Sequence, residues 1–359
     1  VKNKVIRIKD IALKAQVSTG TVDRVLHKRG RVSEDVEERV LKIIKELNYE
    51  PNMMARALGS NKSCRIATLV PDSKLDDYWE APVAGIEKAE RDFKQYGVVV
   101  EQYVFDNADT ASYKLIAEEL TRSAPDGILL APVFYRETLP FFERWKASKI
   151  PFVLFNTQIE EYSPLSYIGQ DSYQSGILAG KLIHYGQPDP CSILITHIDE
   201  DISNSAHLIE KEQGLKDYFY NNQLSNYHIF KVELDRADME KFTNQLDEIV
   251  QSNPELRHIF VTTSKAHGIA TYLEQRNISH IKIIGYDLMP RNLHYLNNGL
   301  ISFLINQNPK GQGYWGISHL VNYIVFKKQV PHIKYLPLDI VTRENLNYFI
   351  EEEPDFVAL

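Results

Sequence analysis

From Arg65 onward the sequence alternates short apolar runs with amphipathic stretches of helical period, and few folds accept that alternation. The apolar runs fall at 66–70, 98–103, 127–130, 152–155, 167–168, 192–195, 228–232, 258–261, 282–284 and 301–305. Helical stretches lie between them, for example at 82–96, 112–123, 175–184, 209–221, 239–252 and 313–326. Parallel strands need a crossover connection, which a helix supplies, so regular alternation predicts an α/β fold with helices on both faces of parallel sheets. About ten strands are enough for two doubly wound sheets, and such sheets bind ligands beyond the strand C-termini. All-helical and all-β architectures are excluded.

The first sixty residues read differently. Residues 1–62 carry 14 Lys and Arg against 8 Asp and Glu, whereas the whole chain has a net charge of -7. A basic head on an acidic body is the charge layout of a nucleic-acid-binding module joined to something else. Ile8, Ile11, Ala12 and Ala15 share one helical face. Ser18 is placed to cap a second helix, 19–26, with Val22, Val25 and Leu26 inward and Thr19, Gly20, Asp23 and Arg24 outward. Ser33 is placed to cap a third, 34–47, with Val36, Val40, Ile43, Ile44 and Leu47 at core spacing. Two short helices and a bracing third form a helix-turn-helix layout, although a generic three-helix bundle has the same spacing. Short polar side chains let the second helix approach a major groove, and Arg24 can place two hydrogen bonds on a guanine edge.

The wording of residues 11–26, from Ile11-Ala12-Leu13 through Val17-Ser18-Thr19-Gly20-Thr21-Val22-Asp23-Arg24-Val25-Leu26, closely resembles the headpiece of the LacI family of bacterial repressors. Val32-Ser33 and the run from Leu47-Asn48-Tyr49 to Leu58 resemble that family's third helix and hinge segment. The resemblance implies DNA contacts from Arg7, Ser18, Thr19, Gly20, Thr21, Arg24, Arg31, Asn52, Ala55, Arg56 and Leu58. Thr19, Gly20 and Arg24 would face bases. Segment 52–58 would fold into a hinge helix on DNA, with Leu58 wedged into the minor groove at the operator centre. Asp23 stands where the family usually has Ser, so the operator sequence does not carry over.

The body resembles the periplasmic sugar-binding-protein-like core of the same repressors. The matching stretches are Ile66-Ala67-Thr68-Leu69-Val70-Pro71, Gly85-Ile86-Glu87-Lys88-Ala89, Ile168-Gly169-Gln170-Asp171, Ser175-Gly176-Ile177-Leu178-Ala179-Gly180 and Ile284-Gly285-Tyr286-Asp287. This implies a DNA-binding domain over 1–50, a hinge and linker over 51–64, and a two-lobed core over 65–359. The lobe near DNA would take 65–169 and 308–331, the distal lobe 170–307 and 332–359. Carried over residue by residue, the effector site comprises Asp76, Tyr78, Trp79, Asn156, Lys211, Thr263, Asp287 and Gln307. Carboxylates and amides take paired hydroxyls while aromatic rings cover the apolar C–H face, so this set suits a sugar. Asn156 replaces a common Asp and Lys211 a common Arg, which exchanges a bidentate fork for a point charge. Each position also has a structural reading. Tyr78 and Trp79 suit lobe packing, Asp287 a helix cap, Lys211 an exposed helix charge, and Asn156, Thr263 and Gln307 loop hydrogen bonds.

Other signals point away from chemistry. Gly311-Gln312-Gly313-Tyr314-Trp315-Gly316 spells a dinucleotide fingerprint, yet no acidic residue follows about twenty positions on, so close packing of helix on sheet is the expected role. The eleven histidines show no paired metal spacing, and His197, His207 and the 199–201 acidic run are expected in a solvated loop. No serine-hydrolase elbow occurs. Cofactor and metal are therefore not expected. Cys64 and Cys191 read as reduced thiols, no run is long enough to span a membrane, and the first residues do not form a secretion signal, which predicts a cytoplasmic protein. The tail 351–359 lacks leucine heptads, so no tetramerising coiled coil is expected. The expected activity is operator binding by a homodimer on pseudo-palindromic DNA, controlled by a carbohydrate. A transport solute-binding protein and an α/β enzyme with a regulatory head are the rivals.

Overall fold

The computed structural model describes residues 7–26, 30–47, 63–159, 161–200 and 205–350. Two compact units divide the chain, 1–59 and 60–359.

The first unit holds α1 (Ile8–Ala15), α2 (Thr19–Leu26) and α3 (Glu34–Glu46). Ile11, Ala12, Ala15, Val22, Val25, Val40 and Ile43 form its core, with Ile8, Leu26, Val36, Ile44 and Leu47 packed around them. The turn between α1 and α2 runs through Gln16 in the left-handed conformation. Ser18 caps α2, its Oγ accepting from the Thr21 amide at 3.0 Å. Ser33 occupies the N-cap position of α3 but makes no side-chain cap bond, which corrects the expected role.

The second unit contains two six-stranded sheets. The first has the order β11-β5-β4-β3-β1-β2, built from β1 (Cys64–Pro71), β2 (Val98–Phe105), β3 (Gly127–Leu130), β4 (Phe152–Phe155), β5 (Ser166–Gly169) and β11 (Ile333–Tyr335). The second has the order β12-β10-β9-β8-β6-β7, from β6 (Ser192–Ile198), β7 (His228–Leu234), β8 (Leu256–Val261), β9 (Lys282–Tyr286), β10 (Ile301–Asn306) and β12 (Asp339–Val341). All pairings are parallel except that of β12 with β10. The first lobe carries α4 (Glu80–Phe93), α5 (Thr110–Ser123), α6 (Tyr135–Ala147) and α12 (Pro309–Ile324). The second carries α7 (Ser172–Gly186), α8 (Ala206–Asn221), α9 (Met239–Ser252), α10 (Ala266–Gln275) and α11 (Pro290–Asn297).

The chain crosses between lobes after β5, after β10 and between β11 and β12. The last crossing lies later than the expected boundary at 331–332. Ile333 and Tyr335 pair with Tyr167 and Gly169, so 333–335 belongs to the first lobe. Three residues are too few to show strand periodicity in sequence. Helix α12 begins four residues earlier than its apolar pattern, because Asn308 caps it by accepting from the Gly311 amide at 2.9 Å and Pro309 fits the first turn.

Candidate functional site

The exposed N-terminal face of α2 presents Ser18, Thr19, Gly20 and Arg24, with Thr21 half-buried beside them. Arg24 lies along its own helix, its Nε donating to the Gly20 carbonyl at 3.2 Å. A Cβ at Gly20 would meet only the Ser18 hydroxyl, at 3.7 Å, so the fold itself does not require glycine there. Arg7 precedes α1 and Arg31 precedes α3, both exposed. Asn52, Ala55, Arg56 and Leu58 lie outside the described residues.

In the second unit a cavity of about 840 Å³ opens between the lobes. Its wall is made where parallel strands end: Asp76, Tyr78 and Trp79 follow β1, Asn156 follows β4, Thr263 follows β8 and Gln307 follows β10. Lys211 enters from α8. All the sequence-predicted effector residues line it except Asp287, which stands one layer behind.

Asp76 caps a short 3-10 turn over Asp77–Trp79, accepting from the Tyr78 amide at 3.1 Å, so both aromatic rings face the cleft rather than solvent. Trp79 packs edge-on against Phe155. Asn156, at φ +69°, donates from Nδ2 to the Tyr78 hydroxyl oxygen at 2.7 Å, and its amide donates to Gln312 Oε1 at 2.9 Å.

Lys211 is only 2% exposed, so it is not a surface helix charge. Its Nζ donates to the Thr262 carbonyl at 2.9 Å and to Gln307 Oε1 at 3.3 Å, and lies 3.7 Å from the centroid of the Tyr286 ring. Burial lowers it to about 8, against the pull of Asp287 and Glu200. Asp287 does not cap the helix after it, since Met289 holds the N-cap position of α11. Its carboxylate accepts from Ser264 Oγ at 2.6 Å and Gln307 Nε2 at 2.5 Å, and burial pushes it above the usual carboxylate range. Among the described residues, the buried Thr263 hydroxyl has no protein partner.

A further expectation is overturned. His197 and His207 are not in a solvated loop: β6 runs three residues past its apolar stretch to Ile198 and takes in His197, while His207 lies in the first turn of α8. His197 is buried between Thr262 Oγ1 at 2.7 Å and Glu212 Oε2 at 3.2 Å. His207 lines the cavity with its Nδ1 3.3 Å from Thr157 Oγ1, and burial holds it neutral, down at about 3. Asp199 and Glu200 line the cavity too, and Asp201 lies outside the described residues. Burial alone would raise Asp199, but Arg236 outweighs it and keeps the carboxyl low, with Nε donating at 2.7 Å. Lys265 and Arg236 were also missed as lining residues. The strand-end rule would have found Asp199, Arg236 and Lys265 had it been applied after every strand. Among the described residues, no group of three His, Cys, Asp or Glu side chains is arranged to hold a metal.

The Gly-rich run 311–316 packs closely. A Cβ at Gly313 would lie 2.1 Å from the Pro82 carbonyl on α4, and one at Gly316 would strike Leu129 on β3.

The two units therefore define a helix-turn-helix head and a two-lobed ligand-binding body. The family model for bacterial regulatory proteins, lacI family, matches residues 7–52, and that for the periplasmic binding protein domain matches 66–328. The chain belongs to the LacI family of bacterial regulatory proteins, with a periplasmic binding protein domain as its body. It is 27% identical to the ribose operon repressor of Halalkalibacterium halodurans over 94% of this chain and 96% of that one. It is 24% identical to the HTH-type transcriptional regulator MalR of Streptococcus pneumoniae, over 79% and 83% of the two chains. A solved structure assigned as a LacI transcriptional regulator from Bacteroides fragilis superposes with a TM-score of 0.76 at 28% identity, covering 80% of this chain and 99% of that one. The glucose-galactose binding protein GanP of Geobacillus stearothermophilus shares the fold, with a TM-score of 0.70 at 23% identity over 79% of this chain and 99% of its own. Among the described residues, no helix is long and apolar enough to cross a membrane.

Proposed function

We propose that this regulator binds a pseudo-palindromic operator as a homodimer, acts as a repressor in the cytoplasm, and changes its operator affinity when a carbohydrate fills the cavity between its lobes. The observation that carries this reading is the presence, in one chain, of an exposed polar recognition face on α2 and an aromatic-walled polar cavity at the ends of parallel strands. Residues Ser18 to Thr21 and Arg24 read the half-site, flanked by Arg7 and Arg31, while Asn52, Ala55, Arg56 and Leu58 engage its centre.

In the cavity, Tyr78 and Trp79 cover a sugar face. Asp76, Asn156, Lys211, Thr263 and Gln307 bond its hydroxyls, and Asp287 orients Gln307. The unpartnered Thr263 hydroxyl supports a ligand at that wall. The names of the ribose repressor and of the glucose-galactose binding protein favour a pentose or hexose. The sugar must bind one lobe arrangement better than the other for operator affinity to shift. The protein turns nothing over.

A thermal-shift panel of D-ribose, D-glucose, D-galactose, L-arabinose, maltose, sugar acids and nucleobases tests the reading, because a ligand bound only by the folded state raises Tm. A stabilising sugar whose effect Asp287→Ala abolishes is expected. Stabilisation by a purine alone would defeat the sugar assignment. Deleting residues 1–60 should remove DNA binding and leave ligand binding intact, and retained operator binding would defeat the regulator reading.

A further inference from the structure

Lys265 stands where the two lobes face each other. It follows β8 on the second lobe, and its Nζ lies 3.6 Å from Asp199 of the same lobe and 3.9 Å from Asp76 of the first lobe. All three side chains are mostly buried, at 19%, 21% and 16% exposure. Both separations exceed the N–H···O range of about 2.7–3.2 Å. Among the described residues no acceptor comes within hydrogen-bonding distance of this ammonium.

The two carboxylates differ in how well they are served. Asp199 is held by Arg236 through its backbone amide and guanidinium, at 2.8 and 2.7 Å. Asp76 is fixed in the first lobe by the Tyr78 amide and by Asn107 Nδ2, both neutral donors, at 3.1 Å. Among the described residues, Lys265 is therefore the cation nearest to Asp76, and it has three donors to spare.

We infer that Lys265 and Asp76 form an electrostatic clasp between the lobes, half-made in this arrangement and completed as the lobes close. A shift of about an ångström turns the 3.9 Å pair into a charge-assisted hydrogen bond. The pair is then stronger in the closed arrangement than in the open one, and that difference biases the equilibrium. Lys265 acts as a positioning residue: it sets how far the lobes are closed before any sugar arrives. Another interlobe bond near it, from Thr157 to neutral His207, carries no charge pair, and because the clasp is mostly buried it is isolated by removing its charges rather than by salt. The inference rests on the proposed hinge between the lobes and is independent of which sugar moves it.

The test is a distance distribution measured by paired spin labels on the full chain, ligand-free, with Thr110→Cys on the first lobe and Arg291→Cys on the second. Both positions are exposed at the cavity wall, and the native Cys64 and Cys191 are buried. Lys265→Met should raise the wide-cleft population about two- to five-fold, and Lys265→Arg should not. Asp76→Asn combined with Lys265→Met should be no wider than Lys265→Met alone. Equal distributions for Lys265→Met and the unsubstituted protein, or additive widening in the double variant, would overturn the clasp. Because no sugar is present, failure of the carbohydrate reading would not be mistaken for failure of this one.

Discussion

Lys211 should make the protein less stable and more useful, and the two effects should separate with pH. Its ammonium is buried and held at about 8 rather than 10.5. That depression costs the folded state about 3 kcal/mol at neutral pH. The cost is full below the folded value, where folded and unfolded chains both carry the proton. It is relieved as pH rises from about 8 toward 10.5, where the unfolded chain alone keeps it. Between pH 7 and pH 9 the relief amounts to about 1 kcal/mol.

Lys211→Met has no proton to lose. It also deprives the Thr262 carbonyl and Gln307 Oε1 of a donor, which costs about 1–3 kcal/mol whatever the pH. The absolute stability of the variant is thus a balance of two similar numbers, but the slope is not. Urea unfolding of both proteins across pH 7 to 9 should show the unsubstituted chain gaining about 1 kcal/mol on the variant. Over the same range its affinity for the stabilising sugar should fall as the charge is lost. A flat stability difference would refute the burial argument for Lys211.

Acid should destabilise the fold through its buried imidazoles. His207 at about 3, and His258 and His319 at about 4, stay neutral when folded while the unfolded chain protonates near 6.5, so stability present above that value is lost as pH falls. At pH 5.5 the three together remove about 4 kcal/mol, and an unchanged urea midpoint between pH 7.5 and 5.5 would contradict this. Gly20→Ala should stabilise the helical head by about 0.5–1 kcal/mol, since a methyl there meets only Ser18, yet weaken operator binding in a gel-shift assay by crowding the groove. Gly85→Ala and Gly176→Ala should each cost about 1–3 kcal/mol by calorimetry, because their methyls would lie 1.9 and 2.1 Å from carbonyls of the facing helices. Gly186→Ala, with nothing within 4 Å, is the control.

Periodicity revealed the long elements because each buries one face, and that signal scales with length. It missed β11 and β12, which have three residues each and lie at sheet edges. It placed α12 late, because Asn308 and Pro309 start the helix by capping chemistry rather than by apolar spacing. Most of the cavity was legible through resemblance, and Asp76, Tyr78, Asn156 and Lys211 do meet there. Asp287 was harder to place, since sequence gives its strand end but not that Gln307 stands in front of it. His207 was hidden because a histidine beside an acidic run has the composition of a solvated loop. It sits in the first turn of α8, from where its side chain reaches the cleft.

The glycines that imitate a nucleotide fingerprint explain how the cavity is held together. In the first lobe, Gly85 faces the Lys310 carbonyl and Gly313 the Pro82 carbonyl, so α4 and α12 approach through reciprocal gaps. In the second lobe, Gly176 faces the Lys211 carbonyl and Gly214 the Tyr173 carbonyl, which gives α7 and α8 the same device. Each pair fixes one buried polar side chain against Gln307, Gln312 beside Gly313 and Lys211 ahead of Gly214. Both grip Gln307, Gln312 through its carbonyl at 3.0 Å and Lys211 through its side chain at 3.3 Å. Gln307 lies on the crossing after β10, and its side-chain oxygen also accepts from Gln170, on the crossing after β5. In the proposed function, a ligand that draws Lys211 toward itself would pull on a single amide that joins both crossings. A hinge responds to the site only where such a contact differs between its two positions, and in the proposed function Gln307 would be both the contact and part of the hinge.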